Sequence, residues 1–472
     1  MPAFSKAPLV WLMALLLALL PSGRAQLPAM NPLAGEVLTG TDGSLSGVPI
    51  QKTEGRGATE LEKWWNGPGV LQGSGNPLFD FRKAASERGL DFQANYRGAF
   101  LGVVDSEGGQ RGFYDQNIDF GCSLDFDEFL GNGMLDGFSA FVTARYRDSW
   151  PESNANSVVM ANRLFAPTSW QSGTQFRLMN FGLEFGSREI FPVKDMVVLR
   201  LGWLQPQREF LDQPLSKLFL NNAITSQKGI GGNVPFGSSF STWGGTIDLH
   251  PTESFYVKNG LFMSYPQGTS TANHGLAFQG FAPDPSLNGL YYLGETGLLP
   301  DIGPLKLPGR YAFGGYFFGT PNGQTRTWSG TQVDGRYGFY FQADQMIFRE
   351  SLDEKAKKAD LQGLRTFNML TFAPGFATQN RYPFYFQSGL VYKGLIPSRD
   401  KDVLISALGY GAYQGGVGNP PASYSAVLES GYRWQINGWS YVQPFFQYIV
   451  RPNGTDDVSN AAILGVLTGL VF

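Results

Sequence analysis

Polar side chains recur at every second position through much of this chain, and their types are suited to gripping a hydroxyl-rich solute. In the stretch from Phe138 to Arg147, Phe138, Ala140, Val142, Ala144 and Tyr146 are apolar, while Ser139, Thr143, Arg145 and Arg147 fall on the opposite face of a strand. Gln93, Asn95 and Arg97 alternate in the same way with Phe92, Ala94, Tyr96 and Phe100, and Arg200 opposes Val197, Leu199, Leu201 and Trp203. Tyr340, Gln342 and Asp344 oppose Phe339, Phe341, Ala343 and Ile347, and Glu429 and Arg433 share the polar face of Tyr424 to Trp434. Further on, Tyr441, Gln443, Phe445, Gln447 and Arg451 oppose Val442, Pro444, Phe446, Tyr448 and Val450. Amides, guanidinium groups and carboxylates can hydrogen-bond vicinal hydroxyls, and aromatic rings can cover the apolar face of a pyranose. A solvated, paired charge is the commoner role for any single one of these residues, so the aggregate carries the reading. The mixture suits a neutral, hydroxyl-rich solute, since charged partners strengthen such contacts without requiring a charged ligand.

Material for catalysis is scarce. His250 precedes Pro251 in a short turn and His274 lies in a polar stretch, so turn or solvated roles outweigh catalytic ones, and neither a Ser-His-Asp set nor a His-rich metal site has the residues it needs. The segment Lys228 to Gly237, KGIGGNVPFG, has no strand-turn-helix context for a phosphate cradle and reads as a flexible loop. The run Asp125 to Glu128 lacks calcium-loop spacing and reads as a turn. Cys122 stands alone in a strand-like run and permits no intramolecular disulfide. The expectation is a protein that is not an enzyme and has no metal or cofactor. A net charge of −3 offers no basic field for nucleic acid.

The elements that would hold the polar face are strands. The chain has 61 glycines in 472 residues, against a usual share of ~7%, and 16% charged residues against a usual ~25%. With 14% aromatics, this fits a sheet that has one face in lipid and tight turns at its ends. The mean hydropathy of −0.16 argues against a helical membrane protein. The last residues place Leu464, Val466, Thr468, Leu470 and a terminal Phe472 on one face, with Ile463, Gly465, Leu467 and Gly469 on the other, as expected of a transmembrane β-strand. Period-two patterning begins near Leu90 and yields about fifteen segments, and closing a barrel with both termini on one side requires an even number, so sixteen strands are expected. The stretches 149–172, 205–241 and 264–308 read as long loops, some folding into the lumen, while DLHPTES and INGW read as short turns. Residues 1–25 read as a signal peptide, with Lys6, an apolar run from Leu9 to Leu20 and a small-x-small site at Gly23 to Ala25. Residues 26–77 read as a flexible mature N-terminus, and a short helix is expected within Leu78 to Gly89 before the barrel.

From about Leu78 to Phe472 the chain resembles the carbohydrate-selective porin (OprB) family. The resemblance rests on YGFYFQADQMIF at Tyr337 to Phe348, QGLRTF at Gln362 to Phe367, GLVYKGLIPSRDKD at Gly389 to Asp402 and ESGYRWQINGWSYVQPFFQYIVRPNG at Glu429 to Gly454. LFDFRKAASERGL at Leu78, LSKLFLNN at Leu215 and TWGGTIDLHPTESFYVKNGLF at Thr242 match more weakly. Pro77 to Phe81 replaces a Trp-Gly-Gly usual before the N-terminal helix, and Gln205-Pro206 stands where members commonly carry an Asp; both bear on sugar preference rather than fold. The resemblance implies an all-β, up-and-down transmembrane antiparallel barrel of sixteen strands in a Gram-negative outer membrane, with short periplasmic turns and long extracellular loops. It also implies facilitated diffusion of small carbohydrates, and Glu429, Gln447 and Arg399 carry over as motif positions. A general diffusion porin and a secreted sugar-binding β protein are the competing readings. Expected partners are small carbohydrates, outer-membrane lipid and the assembly machinery that reads the C-terminal strand; a homotrimer fits the same expectation. The expected substrate pathway comprises Arg97, Arg145, Arg147, Arg200, Tyr340, Gln342, Asp344, Glu429, Arg433, Gln443, Phe445 and Gln447.

Overall fold

The computed structural model describes residues 84–471 apart from short stretches and the longer span 264–288. The signal peptide, residues 26–77, His274 and Phe472 lie outside the described residues, and of the expected N-terminal helix 84–89 is described, helical over 84–86 and a turn over 87–89. The barrel strands are β1 Leu90–Asp105, β2 Arg111–Asp125, β3 Phe138–Trp150, β4 Gln175–Gly186, β5 Val197–Leu204, β6 Thr242–Thr252, β7 Phe255–Met263 and β8 Leu290–Leu298. They continue as β9 Leu307–Gly319, β10 Arg336–Arg349, β11 Gly363–Phe372, β12 Phe384–Lys393, β13 Val403–Ala412, β14 Tyr424–Gln435, β15 Ser440–Val450 and β16 Ala461–Val471.

Each strand pairs antiparallel with its chain neighbours, and β16 pairs with β1 in the register Phe100 to Val466, so the sheet closes as a 16-strand barrel. Closure satisfies the backbone of every strand without leaving an edge, the condition for crossing lipid with strands. Phe100, Leu199, Leu201, Phe339, Phe341, Ile347 and Leu464 are exposed on the outer face, as the alternation predicts. The long connections 151–174, 205–241 and 264–289 share one end of the barrel, opposite the end where β1 begins and β16 stops.

The strand that sequence periodicity missed is β8, within the stretch read as a long loop from Ser264 to Pro308. Its inward residues Tyr291 and Leu293 are as apolar as its outward Leu290, Tyr292 and Leu298, so only Glu295 marks an inner face. A bulge between β3 and β4 at Thr143 and Ala144 reverses parity along β4, with Gln175 and Arg177 buried before it and Asn180 and Glu184 buried after it. Four expected lipid-facing side chains are buried: Ala144 and Tyr146 of β3, Trp203, which packs edge-on against Trp243 with centroids 5.6 Å apart, and Ala343, a small side chain in register between Tyr311 and Asn368. Arg451 lies beyond the end of β15, where it pairs with Asp456 at 2.5 Å and donates to Ser423 Oγ at 2.6 Å, so it belongs to the loops rather than the lumen. The acidic run forms a one-turn helix, Phe126–Leu130, capped by Asp125, which accepts from the amides of Asp127 and Glu128.

The interior is not uniformly polar. Leu218, Phe219 and Leu220 from the connection after β5, with Leu164 and Phe165 from the connection after β3, pack in one cluster with Ile405, Val427, Ile449 and Ile463 of the wall. Phe210, Leu211, Ile230 and Val234 join Tyr291, Leu293, Tyr316 and Tyr340 in a second. These apolar inner walls give the inserted loops a reason to fold inward, since docking removes both surfaces from water. The glycine-rich segment is part of this docking: Ile230–Asn233 is a helical turn, and Asn233 both donates to Tyr382 O at 2.8 Å and accepts from Tyr382 N at 2.7 Å. Over Ile230 to Val234 the segment is a locked contact rather than a flexible loop, while Lys228 and Pro235 to Gly237 lie outside the described residues. Glycine is needed there, because a Cβ on Gly232 would come within 2.1 Å of the Tyr382 ring.

Candidate functional site

The connection after β5 enters the barrel immediately. Pro206 occupies the first turn of the helix Pro206–Phe210, where its missing N–H costs nothing, and Gln205 accepts from Asn180 Nδ2 at 3.1 Å. From there to Val234 the segment runs through the lumen, and the wall supplies partners for its backbone.

Many of the expected pathway residues perform this service. Glu429 accepts from the amides of Leu220 and Asn221, each at 2.8 Å, through its two carboxyl oxygens. Gln447 donates to Pro167 O at 3.0 Å and to Glu429 at 3.2 Å, joining both inserted loops to one wall position. Gln443 donates to Leu218 O at 2.9 Å and accepts from Arg433 Nε at 2.7 Å, and the Arg433 guanidinium sits 3.8 Å above the Tyr441 ring. Phe445 is buried in the apolar cluster. Gln342 donates to Phe210 O at 2.9 Å, and Tyr340 donates to Glu295 at 2.9 Å. Arg200 is paired with Glu184 at 3.0 Å and with Glu209 of the inserted loop at 3.2 Å. Asp344 lies 3.6 Å from Arg310, which also pairs with Glu295 at 3.0 Å. Every one of these side chains points inward, as alternation predicts, but they are buried against loops rather than open to a wide channel.

Arg97, Arg145 and Arg147 are different. They line an open-mouthed cavity whose opposite side is built by Ser169 and Trp170 of one loop and by Gln207, Arg208, Asp212, Lys217 and Phe219 of the other. The cavity has about 40 Å³ of free space, room for a few waters. Arg145 donates twice to Asp119, at 2.5 and 3.1 Å, and Arg97 reaches the same carboxylate at 3.6 Å. Arg147 donates to Asn117 Oδ1 at 3.1 Å and to Ser169 O at 2.7 Å, and Arg97 lies 5.0 Å above the Trp170 ring. On the loop side Lys217 pairs with Asp212; burial pulls the ammonium down to about 8 against the opposing pull of Asp212. Burial likewise lowers Arg208 to about 10. Arg208, Asp212 and Lys217 lie in a stretch without periodicity, so nothing in the pattern singled them out. Asp119 was legible, since Asp115, Asn117 and Asp119 alternate with Ile118 and Phe120. Glu295 was hidden because β8 was, whereas Arg310 sits in β9, a strand whose alternation is legible.

The motif position Arg399 lies outside the lumen. It makes two bonds to Asp402, at 2.8 and 2.6 Å, and one to Gln435 O at 3.0 Å, clipping together the turns after β12 and β14.

A closed barrel of this size with an inward loop and a narrow polar opening is the architecture of a diffusion channel. Residues 114–472 match the model of the carbohydrate-selective porin, OprB family. The chain belongs to that family. Porin B of Pseudomonas aeruginosa is 23% identical over 421 residues, covering 82% of this chain and 88% of that protein. The high-pH structure of Pseudomonas putida OprB superposes with a TM-score of 0.70 at 20% identity, covering 84% of this chain and 97% of that one. The low-pH structure gives 0.54 at 17% identity, with coverage of 86% and 99%. At these identities the two structures speak for the fold. This OprB-family member is thus an outer-membrane carbohydrate porin, a multi-pass β-barrel channel. Within the porin, the inserted loop and the arginine-bearing wall of β1 and β3 together line the cavity just described.

Proposed function

We propose that small carbohydrates, of monosaccharide to short-oligosaccharide size, cross this porin through the opening between Arg97, Arg145 and Arg147 on the wall and Arg208, Asp212 and Lys217 on the inserted loop. The observation that carries the reading is the convergence of these six side chains, from two strands and one loop, on a single cavity beside Trp170. Donors on one side and a carboxylate on the other can bind successive hydroxyls, and the indole offers an apolar face. About 40 Å³ is well below the ~300 Å³ lower bound of ordinary small-molecule pockets, so long side chains at the opening must swing aside as a sugar passes. Arg208 and Lys217 are suited to this, being rotamer-rich side chains on a loop rather than on the wall.

The test is single-channel conductance of refolded protein in a planar bilayer, titrated with glucose, maltose and an uncharged non-sugar of similar size. Saturable block by the sugars alone supports the reading, with the half-blocking concentration raised by Arg147→Ala. Equal block by all three solutes would reduce the protein to a general diffusion channel and reject the assigned opening.

A further inference from the structure

The periplasmic end of the barrel carries apolar side chains that serve neither the lumen nor the lipid belt. Phe92, Phe138 and Phe185 face outward near the periplasmic ends of β1, β3 and β4, and the rings of Phe138 and Phe185 lie 4.7 Å apart, so the aromatic belt at this end is already made. Past the strand ends, in the turns after β2 and β4, Phe129, Leu130, Met134, Ile190 and Phe191 are between 41% and 74% exposed. The two turns are pinned side by side. Arg188 pairs with Asp125 and with Asp136, each at 3.3 Å, and the Gly186 amide donates to Gly137 O at 2.9 Å. Single exposed apolar residues are ordinary, but five on two joined turns make a platform of the kind that marks an interaction site.

The chain itself arrives at this platform. The stretch 84–89, helical over 84–86, abuts the helix Phe126–Leu130: Gly89 O accepts from the Asp125 amide at 2.7 Å, and a Cβ on Gly89 would lie 3.2 Å from the Phe129 nitrogen. The residues before Ala84 are therefore delivered to the platform's edge, and at ~3.6 Å per residue Leu78 stays within about 22 Å of Ala84. That part of the sequence has the matching apolar supply in Trp64, Trp65, Leu78, Phe79 and Phe81, followed by the basic pair Arg82 and Lys83. The platform has the complementary acids, Asp127 and Glu128, in the first turn of its helix.

We propose that residues 64–83 dock on the turns after β2 and β4, with the aromatic side chains of the segment covering Phe129 and Ile190 and with Arg82 and Lys83 facing Asp127 and Glu128. Docking takes both apolar sets out of water. The covalent tether holds the segment at high effective concentration, an advantage that neither a second copy nor a free partner has. Lipid is the other apolar phase at hand, and Asp127, Glu128 and Asp136 among the apolar residues oppose immersion of the platform in hydrocarbon. The N-terminal segment is thereby fixed at the periplasmic rim, under the wall that begins with β1.

Photo-crosslinking of the full-length chain in lipid vesicles tests this. Phe129 and, separately, Ile190 are replaced by p-benzoylphenylalanine, heat-modifiable gel migration checks that the barrel is folded, and the adducts are mapped by mass spectrometry. Both positions are expected to yield mainly adducts with residues 61–83 of the same chain. Adducts mainly with phospholipid would overturn the proposal and make the platform a membrane anchor. Adducts joining two chains would overturn it in favour of a contact between copies, and the absence of any adduct from both positions would leave the platform uncovered and overturn it too. Hydrogen exchange gives a second readout in the wild-type protein: amides of 64–83 should exchange at least tenfold more slowly than those of 30–50, and the double variant Phe129→Ser, Ile190→Ser should abolish the difference. Equally fast exchange of both stretches in the wild type would refute docking.

Discussion

Replacing Glu429 with Ala should loosen the inserted loop without opening the barrel. The carboxyl group is fully buried, and its two oxygens are the acceptors for the amides of Leu220 and Asn221 at 2.8 Å. Removing it strands two buried donors, at ~1–3 kcal/mol each, or about 2–6 kcal/mol together, if the loop stays docked. The loop retains other ties, from Gln443 to Leu218 O and from Tyr385 to Ala223 O, and its leucines keep their apolar partners. The barrel is untouched, because β14 pairs with β13 and β15 through backbone bonds that do not involve the carboxyl group. The expected outcome is therefore local: hydrogen exchange in 215–224 accelerated at least tenfold, conductance increased and sugar block weakened, with heat-modifiable gel migration as in the wild type. Glu429→Gln keeps one acceptor oxygen and should fall between the two. A folded Glu429→Ala barrel with unchanged exchange and conductance would refute the assignment of Glu429 as the latch.

Three further outcomes follow from the same geometry. Gly232→Ala should destabilise the docked turn by ~1–3 kcal/mol, because its Cβ would lie 2.1 Å from Tyr382, and faster exchange in 229–234 measures this; normal exchange would show that the ring moves freely. Lys217, whose ammonium is held near 8, carries its charge below that pH and loses it above, so anion selectivity should fall as pH rises from 7 to 9 with a midpoint near 8. Asp212 favours the charged ammonium whereas Arg208 and Arg97 oppose it, and Lys217→Gln should flatten the profile. Arg310→Met leaves Glu295 buried opposite no cation, at about 3–5 kcal/mol, which a lowered thermal unfolding midpoint in detergent would register. An unchanged midpoint would mean that Tyr340 and Gln342, which also donate to Glu295, suffice to hold it.

Strand alternation made the wall of this porin legible, and physical reasons limit what else it revealed. Wherever one face meets lipid and the other meets water or a charge, as in β3 with Arg145 and Arg147, the period of two survives in the sequence and assigns the inner face correctly. It fails in β8, where the inner face meets an apolar loop and both faces read alike. The same cause limited the reading of individual residues. Gln443, Gln447 and Glu429 are inward and polar, which suggests contact with a solute, yet their partners are backbone groups of two inserted loops more than two hundred residues away in sequence. A glutamine both donates and accepts, so it is as well matched to a loop carbonyl as to a sugar hydroxyl, and strand periodicity cannot tell the two apart.

The loop itself is the larger omission. Arg208, Asp212 and Lys217 complete the opening from a stretch with no repeating pattern, because an inserted segment is shaped by the cavity it fills rather than by a sheet. What the wall pattern did carry is the identity of Arg97, Arg145 and Arg147 as inward cations in strands where lipid occupies the opposite face. Those three positions cannot reverse parity without placing guanidinium groups in hydrocarbon, at ~2–4 kcal/mol each near the bilayer midplane. Their place on the inner wall is thus enforced by the membrane, independently of any ligand. The loop then decides which of the inward charges remain available to a solute, by docking on the glutamines and Glu429 and leaving the arginine side of the lumen open.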